Sequence, residues 1–249
     1  MLAIRAEQME AFRRQAPHHF EAEMAAHLAE VSPRLVHASG EAQTRHFIRL
    51  GIERAGSHGF DRRGPVRIYL EAMLLLGSHF DTDPQYPWAR QILQGRDQVQ
   101  QMERAQRLFE TLQAFLERAA GPGAIFRRRA HEELANLLRT PWGSDAQDLP
   151  IHQLRALQDA WPEKAEVIGA EALRALIRTG IAKAHTLMLG TARGWGLFVT
   201  LAYGLGHVWA QDPLYPWHGT DLATDETNAA RMAERLQDEA ILWLEHALP

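Results

Sequence analysis

Apolar side chains return every three or four positions along most of this chain, and that spacing predicts helices. Phe20, Met24, Leu28 and Val31 share one helical face, and Phe47, Ile48, Ile52 and Ala55 share the next. Tyr69, Leu70, Met73, Leu74 and Leu76 form a third. Gly64-Pro65 starts that helix, because proline needs no amide partner in a first turn, and Gly77 ends it. From Arg96 to Ala120 a long helix presents Val99, Met102, Leu108, Phe109, Leu112 and Phe115. Residues 1–17 read as a leading helix and residues near 126–139 as a short one, followed by a turn-rich run from Thr140 to Asp145. No alternating pattern of strand length interrupts this, so the expected class is all-α.

The pattern also repeats. Residues 47–88 recur, without a gap, at 176–217. Twelve of the 42 columns are identical, where ordinary composition gives roughly two or three. Leu28, Pro33, Gly40 and Leu93 meet Leu157, Pro162, Gly169 and Leu222 at the same offset of 129. The expected architecture is two homologous helical bundles related by a pseudo-twofold axis. Residues 1–120 hold the leading helix and repeat one, 121–148 a connector, and 149–249 repeat two. A solenoid would need more than two copies of a shorter unit. Features kept in both copies then belong to the scaffold, and features of one copy are candidates for function.

The kept signature is Leu76-Gly77, then Asp83-Pro84 and Tyr86-Pro87-Trp88, matched by Leu205-Gly206, Asp212-Pro213 and Tyr215-Pro216-Trp217. Its glycine suits a left-handed helix end. Its aspartate reads as an N-cap with proline in the next helical position. Tyrosine and tryptophan, large apolar rings with one polar tip, suit the gap between helices. The expected role is a structural corner, with a peptide or ligand pocket around Tyr86, Pro87 and Trp88 as the alternative.

Residues 194–210 carry no charged side chain, but their twin segment carries Arg67 and Glu71. A bilayer span is therefore rejected in favour of a buried core helix. That helix lost its polar face in the second copy. It is either buried on all sides or an exposed patch for a partner, in which case Trp195, Phe198, Tyr203 and Trp209 are candidate contacts.

Composition narrows the function classes. The chain is 46% apolar and 23% charged, which supports a folded core. A net charge of −4 lacks the basic footprint of a nucleic-acid binder. With no cysteine, thiolate metal sites and thiol nucleophiles are excluded. The N-terminal residues do not read as a signal peptide, and a cytoplasmic location is the expectation. Thirteen histidines invite metal or acid–base chemistry, but no His-Glu-x-x-His occurs and no histidine has an acid three residues before it. His79, Asp81 and Asp83 lack the further oxygen ligands of a calcium loop. His207 reads as a hydrogen-bonded core histidine or a partner contact, and Arg127-Arg128-Arg129 as a solvated face. Phosphate-loop and serine-elbow motifs are absent, and no catalytic residue, metal or cofactor is expected.

Residues Ile48 to Ala55 and Leu76 to Trp88 resemble a group of small helical proteins of Gram-negative bacteria. These are accessory partners encoded beside type VI secretion spike and effector genes. The likeness is good over residues 18–95 and weaker in repeat two. It implies a non-enzymatic helper, adaptor or co-chaperone that binds a secreted effector or its loading adaptor. Alternatives are an immunity protein that neutralises a cognate toxin, and an enzyme with a site between the repeats. For the last, His79, Asp81 and His207 would have to converge.

Overall fold

The computed structural model describes residues 6–94, 100–140, 149–187, 189, 191–217 and 226–247. Among these, eleven α-helices and no strands occur. In chain order they are α1 (Ala6–Val31), α2 (Pro33–Ser39), α3 (Glu41–Ser57), α4 (Arg63–Leu76), α5 (Pro87–Leu93), α6 (Gln101–Ala119), α7 (Ile125–Arg139), α8 (Leu149–Ala160), α9 (Pro162–Thr186), α10 (Ala192–Leu205) and α11 (Glu226–Leu242). A 3-10 turn (Pro122–Ala124) precedes α7, and a π-turn (Trp243–Ala247) closes α11. No described helix is long and apolar enough to cross a membrane. The expected turn from Thr140 to Asp145 lies outside the described residues after its first position, as do Val99 and Leu222.

Several local geometries recur at the offset of 129. Helix α4 ends at Leu76 and α10 at Leu205. Gly77 has φ 103° and ψ 151°, and Gly206 has φ 98° and ψ 152°. Pro33 and Pro162 both open helices behind a residue with φ near −140°. Gly40 (φ 81°) ends α2, and Gly169 (φ 80°) bends α9 at the corresponding place. Proline suits these starts because its fixed φ is already helical, and glycine suits these breaks because it lacks the Cβ that disfavours positive φ.

The repeated Gly51 and Gly180 have a packing reason. A Cβ on Gly51 would stand 2.2 Å from Leu70 Cδ2, and one on Gly180 would stand 2.8 Å from Val199 Cγ2. Each glycine thus lets its helix, α3 or α9, lie close against the following one, α4 or α10. Kept Ile48 and Ile177 are buried beside these crossings. Each buried aliphatic side chain of this kind contributes roughly 1.5–3 kcal/mol.

The structure departs from the sequence expectation at two helices. Helix α1 runs through Pro17 without the break expected near residue 18; a proline removes one amide donor, and the hydrogen bonds on either side continue the helix. Asp83 and Asp212 are not helix caps. Helix α5 begins only at Pro87, with Tyr86 at its N-cap position, and both carboxylates are used elsewhere.

Candidate functional site

The two halves meet where α4 and α10 end. A Cβ on Gly77 would lie 2.6 Å from the Leu205 carbonyl oxygen and 3.1 Å from Gly206 Cα. One on Gly206 would lie 2.9 Å from the Leu76 carbonyl oxygen and 3.1 Å from Gly77 Cα. Just beyond, the aspartates cross over. Asp83 Oδ2 accepts from the His207 amide at 2.8 Å, and Asp212 Oδ2 accepts from the Ser78 amide at 2.9 Å. The other oxygen of each holds its own turn, accepting from the Gln85 and Leu214 amides at 2.9 and 3.0 Å. Both carboxylates are buried. A buried carboxylate needs such donors, since desolvation otherwise disfavours its charge. Gln85 Nε2 adds a bond to the Ala202 carbonyl, and Ser39 Oγ one to the Leu214 carbonyl. The signature is therefore a clasp between halves as well as a corner within each.

Its aromatic residues fill the space beside the clasp. Tyr86 packs edge-on against Phe115 at 5.3 Å, with Trp88 6.1 Å from Tyr86 and 6.2 Å from Phe115. Tyr215 stacks on Trp217 at 5.3 Å, and both meet Trp243. Trp217 is buried and donates to the Trp209 carbonyl, while Trp88 is half-buried. Pro213 is buried, Pro84 half-buried, and Pro87 and Pro216 exposed.

The candidate partner contacts on and just after α10 are corrected by burial. Phe198, Tyr203 and Trp209 are each 1% exposed or less. Phe198 meets Trp209 at 5.0 Å and 52°, and their counterparts Tyr69 and Phe80 meet at 5.0 Å and 54°. These rings are core, because the apolar character of α10 answers to packing on every side. Trp195 is half-buried, 4.8 Å from the His185 ring.

Between the halves lies a cavity of about 60 Å³, walled by Tyr86 and Phe115 from the first half and by Trp161, Gly204, Leu205 and Tyr215 from the second. Arg127 and His131 of α7 and Lys164 of α9 also line it. Lys164, which stands where the first half has Leu35, is 2% exposed. Its Nζ donates to the Tyr203 carbonyl and lies 4.9, 4.7 and 5.6 Å from the ring centres of Trp161, Tyr203 and Tyr86. Burial pushes its pKa down to about 7, opposed by the field of Asp83; the surrounding ring faces favour the ammonium. His131 is pushed down to about 3 by burial and by Arg127 and Lys164. Burial, with Arg128 nearby, lowers Arg127 as well. Sequence reasoning missed Lys164 and His131 and took Arg127 for solvated. The available signal was a lysine at an apolar column of the repeat.

A second polar group lies on the first half. Asp81 pairs with Arg54 and, at 2.8 Å, with His58. Burial opposes its charge, yet these two partners hold its pKa down to about 2. His79 accepts or donates at 3.0 Å to Ser78 Oγ, and burial with Arg54 lowers its pKa to about 4. His207 Nδ1 approaches Asp83 Oδ2 at 3.3 Å, and its Nε2 approaches Thr82 Oγ1 at 3.4 Å. His79, Asp81 and His207 are thus neighbours, but Asp81 bonds Arg54 and His58, so a serine–histidine–aspartate relay is not formed. Among the described residues no three histidine or acidic side chains gather as a metal site.

Fold and site together define an all-α protein whose halves are clasped by exchanged aspartate bonds around a small basic cavity. No protein-family model, curated protein or solved structure matches the chain.

Proposed function

We propose that this chain is a non-enzymatic, cytoplasmic helper that binds a type VI secretion effector or its loading adaptor. In this reading a duplicated helical unit, its halves related by a pseudo-twofold axis through the Gly77–Gly206 contact, serves as the scaffold. The recurrent dihedrals and exchanged aspartate bonds support the duplication. The resemblance at Ile48–Ala55 and Leu76–Trp88 supplies the biological setting.

One observation carries the binding role. Helix α6 buries Ala105, Leu108, Leu112 and Phe115 and leaves Met102 (52%) and Phe109 (36%) exposed. With half-buried Leu116 these follow at seven-residue intervals along one side of the helix. Leu116 also lines a groove with Leu75, Ala120 and Pro122. An exposed apolar row that continues into such a groove fits an amphipathic partner helix.

The test is capture of the tagged chain from its native host, with Met102→Asp/Phe109→Asp as the comparison. The reading expects a secretion effector or adaptor bound to the natural chain and lost from the variant, at unchanged helical content. Equal recovery by both would move the partner elsewhere; absence of any secretion component from either would end the proposal.

A further inference from the structure

We propose that Lys164, Arg127 and His131 form a binding site for a small anion carrying a carboxylate or phosphate group, in the cavity between the two halves. This goes beyond the helper role and does not depend on it.

Chemical character is the first support. Besides the three basic side chains, the cavity wall offers the hydroxyls of Ser32, Tyr86 and Tyr215 and is otherwise apolar. Among the described residues no carboxylate lines it. Buried basic groups normally sit beside an acid, because an uncompensated charge in the interior is strongly destabilising. Lys164 has a carbonyl and three ring faces, and it forms no ion pair with a described residue.

Unmatched donors are the second. Arg127 Nε and His131 Nδ1 are both buried without a hydrogen-bond partner, and His131 is only 5% exposed. Native interiors rarely leave such atoms unmatched. An oxyanion in the cavity would accept from the guanidinium, the ammonium and a neutral imidazole N–H together. Charge-assisted bonds of that kind are the strong ones.

Single-copy origin is the third. Lys164 stands at a repeated column where the first half has Leu35. The buried ammonium is therefore a feature of one half and not of the repeated scaffold. Size sets the ligand class: about 60 Å³ admits an inorganic phosphate or a short-chain carboxylate, given the roughly 10–15 Å³ that one water requires on the same measure. A nucleotide is too large.

Calorimetric titration of the purified full chain with acetate, butyrate and inorganic phosphate tests this, with chloride as the control anion. Saturable binding of one anion per chain by a carboxylate or by phosphate, with a raised melting temperature, is the expected result, and the two arms tell which group is recognised. Lys164→Met, which fits the apolar cage, and Arg127→Gln, at a half-buried position, should each weaken binding by about tenfold or more, the loss of one charge-assisted bond. Failure of every probe to bind overturns the site. So does unchanged affinity in both variants. Because the readout needs only this chain, loss of the client interaction would leave it untouched.

Discussion

Gly77 and Gly206 touch through their backbones: the Cα of Gly206 lies 3.1 Å from where a Cβ on Gly77 would stand. Both glycines also sit at φ near +100°. One residue pair therefore meets two requirements, a conformation that side-chain-bearing residues avoid and a contact that admits no side chain.

Gly77→Ala should accordingly lose about 3 kcal/mol or more of stability, combining backbone strain with a clash against the Leu205 carbonyl. Gly40→Ala is the comparison, because Gly40 has φ 81° but open space around it. It should lose only about 1–2 kcal/mol. Urea denaturation of both variants measures the difference, and equal losses would mean that the halves are not held at this contact.

Asp83→Ala should destabilise the protein by about 2–4 kcal/mol, because it strands the buried amide of Gln85 and the half-buried amide of His207. Asp212→Ala should behave alike through Leu214 and Ser78. Losses below those of an exposed aspartate, measured in the same denaturation series, would remove the clasp from the account.

Lys164→Met should stabilise the protein near neutral pH and flatten its alkaline profile. The folded pKa of about 7 lies below the unfolded value of roughly 10.4. The unfolded chain then binds the extra proton between these limits, so stability rises with pH across that window. Below pH 7 the penalty of the buried ammonium is present in full. Thermal melts from pH 6 to 10 in weakly coordinating buffers should show the rise in the natural chain and its loss in the variant.

At acid pH the sign is the same. His79 and His131 have folded pKa values near 4 and 3, below the ordinary value of roughly 6.5. Unfolding takes up their protons, so stability falls as pH drops from about 6.5 through those values. Asp81 adds stability that is complete above its unfolded pKa and fades as pH approaches 2. Replacing His131 with phenylalanine should shrink the loss between pH 6 and 4, read by circular dichroism. An unaltered slope would show that His131 is not held neutral.

Helix content and some boundaries were legible because they rest on local chemistry. Periodic apolar residues mark α3 and α4, Pro65 falls in the first turn of α4, and glycine ends α4 and α10. The value of Gly51 could be noticed in the repeat, but its reason, the 2.2 Å approach to Leu70, belongs to a helix crossing. Asp83 was misread for the same cause. Asp-Pro is a good local start signal, and nothing within the segment reveals that the carboxylate accepts from an amide 124 residues away.

The sequence by itself determined an all-α chain with an internal offset of 129 and a signature used twice. Tertiary structure alone decided that α10 is enclosed, that α6 leaves Met102 and Phe109 exposed, and that Arg127, His131 and Lys164 line one cavity. Periodicity reports which side of a helix avoids water. What covers that side, and which distant charges share one cavity, depends on how helices far apart in the chain are brought together.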